Sequence, residues 1–120
     1  SISKESMDLY IKAITTCFEE EKIYLDPDIT ISSLSEKTGI PGHKISQAIN
    51  ETFKMNFYSL VNKYRILYAV DILSKETDQI SIISVCFQSG FNSKSVFNKI
   101  FKSHTGKTPS LFRKEVLEKN

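Results

Sequence analysis

Ser89-Gly90-Phe91-Asn92-Ser93-Lys94-Ser95-Val96-Phe97-Asn98-Lys99-Ile100-Phe101-Lys102 is the stretch on which the reading of this chain turns. It describes a short turn followed by an amphipathic helix. Val96, Phe97, Ile100 and Phe101 recur at helical spacing on one face, and Lys94, Ser95 and Lys99 project from the other. The stretch sits within a longer region, Gln79 to Lys114, that holds no Asp or Glu. The same region carries Lys94, Lys99, Lys102, Lys107, Arg113 and Lys114.

A weaker copy of the design lies earlier. Leu34 and Gly39 match Val85 and Gly90 at an offset of 51 residues, while Ile45, Ile49 and Lys54 match Phe97, Phe101 and Gly106 at 52. The second turn is therefore one residue longer. In this first copy Ile45, Ala48, Ile49 and Phe53 form the inner stripe of a helix over 42–54, and His43, Lys44, Ser46, Gln47 and Asn50 occupy its outer face.

The rest of the chain is also helical in period. Met7, Tyr10, Ile11, Ile14, Cys17 and Phe18 mark a first helix over 4–22 with Ser3 as N-cap, broken by Asp26-Pro27-Asp28. Thr30 or Ser32 caps a short helix that stops at Gly39. Asn56 caps a longer one through Leu60, Val61, Tyr64, Leu67, Tyr68 and Leu73, ended by a polar turn from Lys75 to Gln79. Ser81 and Ser93 cap the fifth and sixth helices, and Thr108-Pro109 opens the seventh. The expected fold is all-α: seven helices forming two helix-turn-helix subdomains, residues 1–56 and 76–120, joined by a linker helix over 57–75 that holds them apart. The whole is one domain of 120 residues.

Composition narrows the function. At 40% hydrophobic and 25% charged residues the chain suffices for a modest core. No apolar run approaches the roughly 20 residues of a membrane span, so no membrane contact is expected. There is no signal-peptide pattern, and a start at Ser1 without Met suggests a piece excised from a longer protein. Cys17 and Cys86, isolated on apolar helical positions, read as reduced core residues of a cytoplasmic protein, not as a disulfide or metal site. The net charge of +2 hides a segregation: residues 1–60 hold 6 Lys against 9 acids, and residues 61–120 hold 8 Lys and 2 Arg against 5 acids. That asymmetry points to nucleic acid, which would place the protein on the nucleoid.

A helix-turn-helix presents the start of its second helix to the major groove, where base edges are distinguishable, while the first helix braces it. Lysine reaches guanine O6 and N7, serine bonds a base edge or a phosphate, and Gln and Asn suit adenine N6 and N7. Lys102, Lys107, Arg113 and Lys114 are candidates for phosphate contact, with pairing to an internal carboxylate the alternative for Arg113. Arg65 reads as an ion-pair partner on the linker helix, and Phe91, Phe97 and Phe101 as core. The Glu19-Glu20-Glu21 run is either a solvated helix end or a surface for a partner domain. His43 and His104 lack a companion Cys or Asp motif, and nucleotide-loop, dinucleotide and zinc-protease patterns are absent. No catalytic residue, metal or cofactor is expected, and the chain does not read as an enzyme.

The stretch Ser89 to Lys102, followed by Thr105-Gly106-Lys107-Thr108-Pro109 and Phe112-Arg113, closely resembles the C-terminal signature of AraC/XylS-type transcription regulators. Leu34, Gly39, Ile45, Asn56-Phe57 and Tyr64-Arg65 resemble that family's first helix-turn-helix and linker helix, so the resemblance covers roughly residues 25–114. It implies a monomeric seven-helix unit whose two recognition helices enter successive major grooves on one face of DNA. Carried over position by position, it implies base contacts at His43, Ser46 and Gln47 in the first copy and at Lys94, Ser95, Val96 and Lys99 in the second. Phosphate contacts fall to Lys44, Asn50, Lys102, Lys107 and Arg113.

The chain departs from the family pattern at four places. Ser35 and Cys86 stand where a small Ala is usual, Gln47 where an Arg is common, and Asn50 where a Lys is common, which makes the first head less cationic. The partners implied are a promoter duplex, RNA polymerase, and an N-terminal sensor or receiver region outside this chain. Two rivals are the helix-turn-helix part of a DNA-processing enzyme such as a recombinase, and a helical protein-interaction module.

Overall fold

The computed structural model of the chain describes residues 1–75 and 79–119. Among these it contains seven α-helices and no strand: α1 (Lys4–Glu19), α2 (Ile31–Thr38), α3 (Gly42–Phe53), α4 (Phe57–Leu73), α5 (Ile82–Gln88), α6 (Lys94–Thr105) and α7 (Pro109–Glu118), with one 3-10 turn at Ile23–Leu25. The middle of the polar turn expected from Lys75 to Gln79 lies outside the described residues.

The helix starts follow from capping chemistry. Side-chain oxygens of Ser3, Ser81, Ser93 and Thr108 accept from backbone N–H groups three residues on, which would otherwise lack a partner. Asn56 Oδ1 accepts from the Ser59 N–H at 2.9 Å and starts α4 in the same way. Of the two expected caps for α2, Thr30 is the one used. It accepts from the Ser33 N–H at 3.1 Å, and Ser33 Oγ accepts in return from the Thr30 N–H at 3.0 Å. This is a capping box with serine in the place usually held by Glu.

The chain divides into two compact units, Ser1–Val61 and Asn62–Asn120, and the boundary falls within α4. In the first unit α3 packs against both α1 and α2. Ile14, Cys17, Phe18, Leu34, Ile40, Ile45, Ala48, Ile49, Phe57, Leu60 and Val61 are buried. The first helix ends at Glu19, not at 22 as the periodicity suggested. Lys22 takes a left-handed backbone with φ of 51°, and the chain turns into the 3-10 segment that buries Ile23 and Tyr24. The Tyr24 ring stacks on Phe18, with centroids 6.4 Å apart. Burial of these two side chains offsets the cost of a left-handed lysine.

The core of the second unit is Ile66, Ala69, Leu73, Val85, Cys86, Phe91, Phe97 and Phe101, with Ile80, Ile100 and Phe112 packed against it. Its centre is a chain of aromatic rings. Phe91 to Phe97, Phe97 to Phe101 and Phe101 to Phe112 have centroids 5.2, 5.7 and 5.6 Å apart, each pair inclined or edge-on as ring quadrupoles prefer. The three phenylalanines assigned to the core from their spacing are therefore core residues, each at most 3% exposed.

Candidate nucleic-acid interface

Each unit contains a helix, a tight turn and a second helix. In the first, α2 stops at Gly39, whose φ of 75° places it in the left-handed region that glycine enters without a Cβ clash. Side chains supply the bonds that the turn lacks. Ser35 Oγ donates to the Ile40 carbonyl at 2.6 Å, Thr38 Oγ1 donates to the Leu34 carbonyl at 2.9 Å, and the Ile40 N–H donates to Thr38 Oγ1 at 3.2 Å. Ile40 is driven inward, 6% exposed, and pins the turn. Ser35, where Ala is the usual residue, thus has a job of its own.

In the second unit Gly90 is left-handed with φ of 94°. Its N–H donates to the Phe87 carbonyl, and the Phe91 N–H donates to that of Cys86, both at 3.1 Å. Phe91 buries itself in the core, and the guanidinium carbon of Arg65 lies 5.4 Å from its ring centroid. Arg65, read from the sequence as an ion-pair residue, braces the turn through a cation–π contact. The Cys86 thiol donates to the Ser93 carbonyl at 3.7 Å, tying α5 to the first cap of α6. Burial raises the pKa of the Cys86 thiol. Burial also raises that of Cys17, with Glu21 adding to the effect. Both cysteines are free.

The turns leave one face of each second helix outside. On α6, Lys94, Ser95, Lys99 and Lys102 are exposed, with Ser95, Lys99 and Lys102 in an i, i+4, i+7 row. Val96, placed by its spacing on the inward face with Phe97 and Phe101, is instead 48% exposed and stands beside the outer row. On α3, His43, Ser46, Gln47 and Asn50 make an equivalent row. His43 and Asn50 are exposed, whereas Lys44, Ser46 and Gln47 are half-buried. Asn50 Nδ2 donates to the Ser46 carbonyl at 2.8 Å, and Gln47 Nε2 donates to Glu51 Oε1 at 3.2 Å. Glu51 was absent from the sequence-derived candidates; a Gln followed four residues later by Glu was the signal that would have found it.

Two of the expected phosphate contacts are engaged within the second unit. The Lys107 ammonium pairs with the Glu115 carboxylate across the start of α7. Arg113 Nη1 donates to the Ile80 carbonyl, so among the described residues its internal partner is a backbone oxygen rather than a carboxylate. Lys114 lies 4.0 Å from Glu118 one turn along α7. In the first unit Glu21 of the acidic run pairs with Lys37 at 2.8 Å. Among the described residues, no group of three or more His, Cys, Asp or Glu is arranged to hold a metal ion, and no helix is long and apolar enough to cross a membrane.

Comparison with known proteins accords with this geometry. A family model described as a helix-turn-helix domain matches residues 34–115. The chain belongs to that family, the AraC-type DNA-binding domains of transcription regulators. It is 27% identical over 94 residues to the probable transcription factor PqrA of Proteus vulgaris, covering 78% of this chain and 75% of that protein. It is 30% identical over 92 residues to an uncharacterized HTH-type transcriptional regulator of Staphylococcus aureus strain COL. That match takes in 77% of this chain but spans only 12% of the relative's length. The fold is shared with the DNA-binding domain of the global transcriptional factor AdpA, solved in complex with a target DNA. The TM-score is 0.77 at 15% identity, covering 92% of this chain and 95% of that one.

Proposed function

We propose that the chain is the output domain of a larger transcription regulator, in which α3 and α6 enter successive major grooves of a promoter duplex. The observation that carries the reading is the exposed row on α6. Lys94, Ser95, Val96, Lys99 and Lys102 stand clear of the core, on a helix whose first turn is fixed by Ser93 and braced by α5. Lys94 and Lys99 are placed to donate to guanine O6 and N7, and Val96 to meet a thymine methyl. Lys102, further from the helix start, serves a phosphate. On α3, His43, Ser46 and Gln47 read base edges, with Lys44 and Asn50 at the backbone.

We read Lys107 and Arg113 as part of the framework of α7 rather than as direct phosphate contacts, a reading supported by the partner each has within the second unit. The second unit then supplies most of the sequence-independent affinity, and the first mainly discriminates. The domain works by binding and by presenting itself to RNA polymerase, without catalysis. The short share of the Staphylococcus relative that it spans supports a separate sensor or receiver region, and a protein held on promoter DNA works in the cytoplasm.

Titrating a duplex across a salt series tests the proposal. Neutralising several phosphates gives log K a steep negative slope against log salt, near −0.9 per phosphate contacted. Weak binding with a flat slope would instead assign the chain to protein interaction.

A further inference from the structure

The two amide side chains on the outer face of α3 are not free to turn. Asn50 donates through Nδ2 to the Ser46 carbonyl, and Gln47 donates through Nε2 to the Glu51 carboxylate. Both acceptors are incapable of donating, so each amide has one permitted orientation. Flipping the Gln47 amide would set its oxygen against the Glu51 carboxylate, acceptor against acceptor. Gln47 therefore keeps its oxygen and one remaining N–H for whatever approaches the helix. A glutamine without such a neighbour would be free to offer the whole NH₂ group and serve as a double donor.

We infer that Glu51 is a positioning residue for base readout. By holding the Gln47 amide it keeps Gln47 from serving as a double donor, so that Gln47 favours a base with an exocyclic amine, adenine or cytosine, over guanine and thymine, to which only its one remaining N–H could bond. Adenine N6 and cytosine N4 donate in the major groove, whereas guanine and thymine present O6 and O4, which would face the Gln47 oxygen. The carboxylate gives a specificity to the first head that is the inverse of the second, where lysines select acceptors. The inference rests on the reading that Gln47 touches a base.

The test measures duplex affinities of the 120-residue chain on a selected site in which each base pair is varied in turn. Gln47→Ala identifies the base pair that Gln47 reads. At that pair the unaltered chain is expected to favour adenine or cytosine on one strand. Glu51→Gln, whose side chain accepts or donates equally well, should reduce the preference by about fivefold, the scale of one ordinary net hydrogen bond. Glu51→Lys, which donates to the Gln47 oxygen and turns the NH₂ outward, should erase or reverse it. Glu51 is exposed, so neither change threatens the fold. Guanine or thymine preferred at that pair by the unaltered chain, or a preference unmoved by both Glu51 variants, overturns the inference alone. A Gln47→Ala variant with unaltered preferences at every pair overturns the base-contact reading and the inference with it.

Discussion

Lys54 and Gly106 share one backbone conformation. Each terminates a recognition helix in the left-handed region, with φ of 59° and 80°, and each donates its N–H to the carbonyl four residues back. The positions correspond in the internal repeat, so the echo found in the side-chain pattern is also an echo of backbone geometry. Glycine takes this conformation freely, whereas a lysine Cβ meets its own carbonyl at a cost of roughly 1–2 kcal/mol.

Lys54→Gly is therefore expected to stabilise the protein. Relief of the left-handed strain outweighs the extra freedom glycine gains when unfolded, leaving about 0.5–1 kcal/mol. Urea unfolding at neutral pH measures it, and a midpoint shifted downward would mean that the lysine side chain holds the end of α3 in some other way.

Ser89 is fully buried and its hydroxyl has no hydrogen-bond partner among the described residues. A desolvated hydroxyl left unpaired costs about 1–3 kcal/mol. Ser89→Ala is expected to be neutral or to raise the thermal midpoint, with duplex affinity unchanged. A loss beyond about 1 kcal/mol would show that the hydroxyl is satisfied after all.

The buried thiols give stability a dependence on pH. Their folded pKa values are raised, so the folded state holds its thiol protons more tightly than the unfolded chain does. That stabilisation is complete below the unfolded value of about 8.5 and is lost as pH rises from there toward the folded values. Unfolding free energy should fall as pH rises above the unfolded thiol value, and less steeply in Cys86→Ala. An identical slope in the variant would place the titration elsewhere.

The division of labour among the cations separates by salt. Lys102→Ala should weaken binding to all duplexes alike and lower the salt slope by about one contact. Lys107→Ala should leave the slope as it was and reduce stability instead, since its ammonium pairs with Glu115. Lys99→Ala should cost about 1–3 kcal/mol at particular base pairs only. The assignment fails if Lys107 moves the slope and Lys102 does not.

Much of this architecture was legible because it is local. Caps at Ser3, Thr30, Asn56, Ser81, Ser93 and Thr108 and stops at Gly39 and Gly106 are decided within a few residues, and those boundaries stand. Boundaries set by burial were not. The early end of α1 depends on Tyr24 reaching Phe18, which helical period does not encode. In α4 the sequence suggested one stripe that included Leu67, yet Leu67 is 56% exposed while Ile66 and Ala69 are buried. The buried positions shift phase along that helix, so the expected stripe holds at Leu60 and Val61 but does not run on through the second half. The candidate interface shows the same limit. The outward rows on α3 and α6 follow from periodicity, but the partners of Lys107 and Arg113 depend on where α7 folds back, beyond the reach of residue type and spacing.

The central claim is that two unequal heads both read sequence, and selection of bound sites from a random duplex pool tests it most directly. Two blocks of base preference are expected, their centres about one helical turn or 10 base pairs apart. One block should be rich in guanine on the strand facing Lys94 and Lys99 and should degrade when Lys99 is replaced. The other should degrade when Gln47 is replaced. A single block, or sites with no shared bases, would contradict the account.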